Sequence, residues 1–244
     1  MYSDQHKVVA RVSTLKLIDK SDQTQSLSLD DPNAIPKASH WVDETEEDTV
    51  LVIEQPPHQI CAAIGGIMAS RMKVRGVRGC VVGGRVRDLA ELKSSGLPVS
   101  DFQVSQLALS SSTTWPILAY AFSLTPSRLG LCISIRIDNT GSYVEAPLTN
   151  AYHKQIWASG RSTVGVGAEA KVYARNVTIS IKDVSISPGD IVFCDPLEGV
   201  VVIPQALVDQ VVDLIPKLVS ADDKVKEDVE AGSTVQTGFK KHRG

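Results

Sequence analysis

The stretch GGIMASRMKVRGVRGCVVGGRVRDLAELKSSGLP, Gly65 to Pro98, decides the fold through its punctuation. Gly65-Gly66 is a turn, and a helix is predicted from about Ile67 to Arg75, with apolar Ile67, Met68, Met72 and Val74 among Arg71, Lys73 and Arg75. Gly76 suits the left-handed residue that ends such a helix. Cys80-Val81-Val82 is short, apolar and bounded by glycines, as a strand covered on both faces tends to be. Gly83-Gly84 lets the backbone turn sharply, and Arg87-Asp88 stand at the mouth of a second helix that carries Leu89, Leu92 and Lys93 before Gly96 and Pro98 stop it. The unit is βαβ-like, with an Arg and an Asp side by side at a strand's carboxyl end, where ligands bind in open α/β sheets.

Two features of this unit can do chemistry. The first amides of the helix, around Ile67 and Met68, lack intrahelical partners and lie at the positive end of the helix dipole, which suits a carboxylate or phosphate. Arg87 offers a planar fork for a carboxylate or developing oxyanion, and Asp88 is a hard oxygen ligand for Mg²⁺ or Mn²⁺. Spacing alone leaves a plainer alternative open: a tight turn, a surface Arg and an Asp in an ordinary helix start.

Gly66, twenty intervening residues, Arg87-Asp88, two residues and then Glu91 resembles the G-x20-R-D-x2-E/D signature of the class II 4-hydroxy-4-methyl-2-oxoglutarate/4-carboxy-4-hydroxy-2-oxoadipate aldolases and the related regulator of ribonuclease activity A proteins. The similarity extends to His40-Trp41-Val42-Asp43, Val50 to Pro56, Trp157 to Lys171 and Pro188 to Arg243. The resemblance implies an α/β domain of the β-β-α swivelling type that associates as a trimer or a dimer of trimers. The implied chemistry is cleavage of a small 2-keto-4-hydroxy acid to pyruvate, with oxaloacetate decarboxylation as a side activity through the same pyruvate enolate. Carried over by position, Asp88 would hold the divalent cation (Mg²⁺ or Mn²⁺), and Arg87 would bind the keto oxygen. Gly65, Gly66, Ile67 and Met68 would hold the substrate carboxylate, and Glu91 would orient metal-bound water. Many relatives carry Asp at the position of Gly66 or an acid at that of Gly83, so two candidate proton relays are missing here. The rival implication is a non-catalytic, protein-binding regulator of a ribonuclease; Glu91 favours the aldolase pattern.

Composition sets the outer bounds. The 244 residues are 43% hydrophobic and 22% charged, with a net charge of −3, as expected of a soluble globular chain with a sizeable core. Near-neutral charge and 5% aromatic residues give no basis for nucleic-acid binding. Cys61, Cys80, Cys132 and Cys194 have no CxxC spacing and read as reduced thiols, which suits a cytoplasmic setting. The opening residues do not read as a secretory leader, and no apolar run reaches the length of a membrane span.

Along the rest of the chain, His6 to Ile18 alternates like a strand and Ser21 to Asn33 is a polar loop. An N-terminal helical segment found in relatives does not precede this strand, so either the true start lies upstream or the segment is lost. His40 and His58 have no second ligand at metal-binding spacing and read as structural. Thr49 to Glu54 is a buried strand. Gly165-Val-Gly167-Ala-Glu-Ala170 matches a dinucleotide fingerprint only superficially, because Lys171 to Ile181 alternates as β and offers no phosphate-facing helix. Ile191 to Cys194 and Gly199 to Ile203 are strands. An amphipathic helix is predicted over Gln205 to Lys217, a charged one over Ala221 to Ala231, and a solvated basic end at Lys240 to Arg243.

Residues 99–155 break this order: they show no sustained helical or strand period, which is suspect for so long a segment in a compact domain. Joining Pro98 to Ile156 restores the relatives' pattern, Gly-Leu-Pro-Ile-Trp-Ala-Ser-Gly-Arg-Ser-Thr. Val99-Ser100 can be encoded by GTGAGT, a 5′ splice consensus; Gln155 by CAG, a 3′ splice end; and Leu148-Thr149-Asn150 can contain the branch-point sequence CTAAC. The expectation is one discontinuous aldolase-like domain, 1–98 with 156–244, interrupted by an irregular translated intron at 99–155. A lineage-specific loop insertion is the alternative.

Overall fold

Alternating apolar residues from Val8 to Asp19 form a twelve-residue strand, β1, on which two other parts of the chain converge. The computed structural model describes residues 7–28, 30–96, 99–101, 104–106, 135–137, 143–145, 155–195 and 199–243. After β1 come β2 (Thr49–Glu54), β3 (Ala62–Ile64), α1 (Gly66–Val74), β4 (Gly79–Val86), α2 (Leu89–Ser94), β5 (Val99–Asp101) and β6 (Val104–Gln106). Then follow β7 (Ile135–Ile137), β8 (Tyr143–Glu145), β9 (Gln155–Arg161), β10 (Ala170–Arg175), β11 (Ile179–Ile181), β12 (Val184–Ile186), β13 (Ile191–Asp195) and β14 (Gly199–Ile203). The helices α3 (Val208–Glu230) and α4 (Val235–His242) close the order. The chain divides into one unit of Met1–Gln106 with Tyr152–Gln205 and another of Leu107–Ala151 with Ala206–Gly244.

In the first unit the main sheet runs β5-β9-β4-β2-β1-β13-β14-β6, with β10 also on β1 and β3 also on β4. One edge of β1 forks: Val8–Arg11 pair antiparallel with β13, and Leu15–Asp19 pair antiparallel with β10. The other edge, Arg11–Lys16, is parallel to β2. The parallel strands β2, β4 and β9 are buried on both faces, as the uninterrupted apolar runs TVLVIE and CVV predict. Leu51, Ile53, Cys80, Val82, Ile156 and Ala158 face Ala69 and Met72 of α1 and Leu92 of α2. On the opposite face Val50, Val52, Val81 and Trp157 meet Ile179, Ile181, Val184 and Ile186 of the β11–β12 hairpin. Each such side chain contributes roughly 1.5–3 kcal/mol by leaving water. The α/β swivelling-type sheet-and-helix architecture expected from the sequence is the one observed.

Gly76 plays its expected part. At φ 79° it lets its own N–H reach the Lys73 carbonyl and the Val77 N–H reach the Met72 carbonyl, which ends α1 in a Schellman turn. Cys61, Cys80 and Cys194 are free and buried, and burial pushes the thiols of Cys80 and Cys194 far up; Cys132 lies outside the described residues. Within 99–155, residues 99–101 and 155 belong to the paired strands β5 and β9, 104–106 pair with β14, and 135–137 pair with 143–145. The rest of that segment, and with it most of the irregularity expected there, lies outside the described residues. No helix among the described residues is long and apolar enough to cross a membrane.

Lys171 to Ile181 is β as expected, in two strands: Asn176, at φ 51°, turns the chain between β10 and β11, and Asn tolerates that left-handed conformation. Two expectations need correction. The two helices expected over 205–217 and 221–231 are one, α3, which runs through Pro216. Proline removes one ladder bond, and Pro216 sits on the exposed side, where the carbonyl it strands can meet water. The basic end is the helix α4. Thr234 caps it by accepting from the Thr237 N–H, and its cations fold back onto α3: Lys241 and His242 each 2.9 Å from Asp228, Arg243 on Asp222. Gly238 lets α4 approach Val225 closely.

Hydrogen bonds from Lys241 and then His242 hold the Asp228 carboxyl below the usual carboxylate range. An acid depressed in the folded state stabilises above its unfolded pKa, and that contribution vanishes as pH falls through the folded value. Protection of the amides across 235–243, corrected for the slower intrinsic exchange at low pH, should therefore fall on acidification before α3 itself opens. Asp228→Asn should show the faster exchange already at neutral pH.

Candidate functional site

The corner between β3 and α1 and the corner between β4 and α2 lie against each other, because β3 pairs with the end of β4. The Arg87 N–H donates to the Ile64 carbonyl at 3.1 Å, which extends that pairing by one residue. Gly65 is the extended N-cap of α1. Asp88 is the N-cap of α2 and adopts φ 58°, ψ 45°, a left-handed conformation that costs an L-residue about 1–2 kcal/mol, least for Asp and Asn. Strain of this kind gathers at functional sites, where surrounding contacts hold it in place. Here the contact is explicit: Asp88 Oδ2 accepts the Gly66 N–H at 3.2 Å and lies 3.5 Å from Arg87 Nε.

The two glycines are required by space. A Cβ on Gly65 would stand 2.4 Å from Asp88 Oδ2 and 3.0 Å from Arg87 Nε. One on Gly66 would stand 1.9 Å from Glu91 Oε2 and 2.6 Å from Glu91 Cβ. Gly65, Gly66, Arg87, Asp88 and Glu91, singled out by the resemblance, thus gather in one place. Ile67 and Met68 follow in the first turn of α1, with Ile67 exposed and Met68 partly buried. Since Asp88 already takes the Gly66 N–H, the amides left for an incoming anion are those of Ile67 and Met68. On the far side, Gly165 lies near Arg87 Nη1.

At Gly66 and Gly83, where the resemblance led to the expectation of an acid, space is short. The room a side chain at 66 would need is filled by Glu91. A Cβ on Gly83 would stand 2.8 Å from Ile181 Cγ1, so the hairpin fills the room there. The histidines behave structurally: His40 Nδ1 accepts the Val42 N–H at 3.3 Å, and His58 pairs with Asp19 at 2.9 Å. Gly165 opens a short 3-10 turn over Val166–Ala168 that leads straight into β10, with no helix behind it.

Sequence reading overlooked Glu169 and Gln55. The Glu169 carboxylate accepts the N–H groups of Cys61 and Ile60 at 2.8 and 2.7 Å, and these bonds hold it below the usual carboxylate range. Gln55, buried, bonds both Arg85 and Cys61. Partners of Glu169 lie more than a hundred residues away, so no local pattern could have marked it.

The sheet, its two corners and the glycine clearances define an α/β fold of the RraA-like kind. A family model described as RraA-like, Aldolase/RraA, matches residues 1–116. An uncharacterized protein from Pseudomonas syringae superposes with a TM-score of 0.58 at 16% identity, covering 96% of this chain and 79% of that one. Streptomyces coelicolor RraAS2, described as an unusual member of the RNase ES inhibitor RraA protein family, superposes with a TM-score of 0.52 at 18% identity over 93% and 78%. Protein DlpA of Legionella pneumophila is 23% identical over 205 residues, 83% of this chain. The chain spans about a quarter of the length of that curated relative, 24%.

Gly66→Ala should be costly even though it adds one methyl group, since Glu91 and the start of α2 must move. We expect a loss of about 1–3 kcal/mol, in the range of overpacked cores, read by urea denaturation.

Proposed function

We propose that this chain is a member of the Aldolase/RraA family and a divalent-metal-dependent lyase that cleaves 4-hydroxy-4-methyl-2-oxoglutarate-type 2-keto acids to pyruvate, with oxaloacetate decarboxylase activity beside it. The observation that carries the reading is the gathering of Gly65, Gly66, Arg87, Asp88 and Glu91 around one strained carboxylate. The residues suit a hard cation. Asp88 Oδ1 has no protein partner among the described residues, and the side chain is 36% exposed. No group of three or more potential ligands gathers among the described residues, so an Mg²⁺ held here would keep several waters and take one or two carboxylates. Asp88 would hold the ion, with Glu91 beside it.

When bound, the ion supplies positive charge that lowers the energy of a developing enolate. The protein's own part is positioning and charge. The amides of Ile67 and Met68 receive the substrate carboxylate at the helix N-terminus. Arg87 donates to the keto oxygen and strengthens that bond as negative charge develops there. Glu91, set against Gly66, would orient metal-bound water.

Asp88→Asn separates chemistry from fold, because Asn tolerates the left-handed conformation and its amide oxygen still accepts the Gly66 N–H. It should lower metal-dependent pyruvate release by about 10² or more in kcat/KM, roughly 3 kcal/mol, while the unfolding midpoint moves little. Arg87→Lys should fail as badly, since an ammonium cannot reproduce the planar fork. Near-normal turnover by Asp88→Asn would remove the assignment.

A second reading, a protein-binding regulator, draws support from the likeness to RraAS2 and from Ile67 and Val74. These residues stand seven apart on α1, each 74% exposed. We assign that apolar face to a second copy of the chain in a homotrimer or hexamer, and pyruvate release decides between enzyme and regulator.

We also infer that 99–155 is dispensable. Val99, Ser100 and Asp101 lie in register beside Ile156, Trp157 and Ala158, so the chain leaving α2 enters the slot next to the strand that would otherwise follow it. Joining Pro98 to Ile156 shifts that exit by one strand spacing, about 4.8 Å. The chain lacking 99–155 should be soluble and elute as a trimer or hexamer in light-scattering chromatography. An unfolded product would refute the inference.

A further inference from the structure

Strand β4 changes neighbours in mid-course. Gly79–Gly83 pair with Val50–Glu54 of β2, whereas Arg85 and Val86 pair with Ala62 and Ile64 of β3. On its other edge, the register with β9 slips between Val82 and Arg85. The Gly83-Gly84 bulge therefore has a broken ladder on both sides, three residues before Arg87.

One side chain bridges the break. Gln55, 4% exposed, accepts the Arg85 N–H through Oε1 at 3.0 Å and donates through Nε2 to the Cys61 carbonyl at 2.8 Å. Its amide stands where a strand's peptide group would stand, one bond to each limb of the corner: Arg85 leads to Arg87-Asp88, and Cys61 leads through β3 to Gly65-Gly66. The fit is close, since a Cβ on Gly84 would lie 1.8 Å from Gln55 Oε1. Glu169 completes the hold on the second limb through the Ile60 and Cys61 N–H groups.

We propose that Gln55 is a positioning residue that sets Arg87 and Asp88 against the Gly65-Gly66 turn, acting through Arg85 and Cys61 without touching substrate. Its consequence for turnover rests on the lyase reading above; its consequence for the corner does not. Gln55→Met keeps the volume and removes these bonds together with the Nε2 contacts to Gln59 Oε1 and Cys61 Sγ, Gln55→Glu keeps only the acceptor, and Val200→Ala, a buried residue of β14, serves as a comparison of similar stability loss. Hydrogen exchange at residues 85–88 should rise tenfold or more in Gln55→Met relative to β2, and by less in Gln55→Glu. Mn²⁺ affinity and kcat for pyruvate release should each fall tenfold or more in Gln55→Met, with neither effect in Val200→Ala.

Exchange at 85–88 that stays at the wild-type rate, or rises equally in Val200→Ala, overturns the proposal. If Gln55→Met does not fold, Gln55→Glu decides by the same exchange measurement. A wild-type protein that neither binds Mn²⁺ nor releases pyruvate removes the lyase reading, while exchange at 85–88 still judges the positioning role.

Discussion

Everything in the candidate site depends on one close approach, the backbone of Gly65-Gly66 passing against the side chains of Arg87, Asp88 and Glu91. No side chain fits between them, so the start of one helix and the start of the next are held at backbone distance. The Gly66 N–H bond to Asp88 offsets part of the cost of a left-handed aspartate, and it engages only one of the two carboxylate oxygens. A corner of this kind needs rigid limbs, and the two-faced burial of β2, β4 and β9 provides them.

Much of this was legible in the sequence because its determinants are local. Glycine before and after an apolar-basic run marks the bounds of α1, and an unbroken valine run marks a strand with no wet face. The spacing from Gly66 to Glu91 is the distance along the chain from one corner to the other. What escaped was set by distant partners. The α4 helix forms because Asp222 and Asp228 of α3 supply counter-charges, so its Lys-Lys-His-Arg end read by itself looked merely solvated. The two helices expected over 205–217 and 221–231 are joined because the continuity of α3 depends on all its turns, and the local cost of Pro216 does not break it. Gln55 carried no signal, since an amide after a strand acquires meaning only where another strand loses its neighbour.

Structural likeness at 16–18% identity establishes how the chain is folded. Chemistry resides in the identity of a few side chains, which unrelated functions on one scaffold exchange freely. That is why the weight of the functional reading falls on Asp88, Arg87 and Glu91.

The filling of space beside Gly83 by Ile181 has an evolutionary consequence. The two positions are more than ninety residues apart in sequence, yet neither can change size alone. An acid at 83 would meet the hairpin before it could meet a substrate, and a smaller residue at 181 would leave a void above a bulge already short of ladder bonds. A larger residue at 83 is therefore accommodated only by a paired change at 181, with the hairpin moving first, and in that sense the two positions are locked to one another.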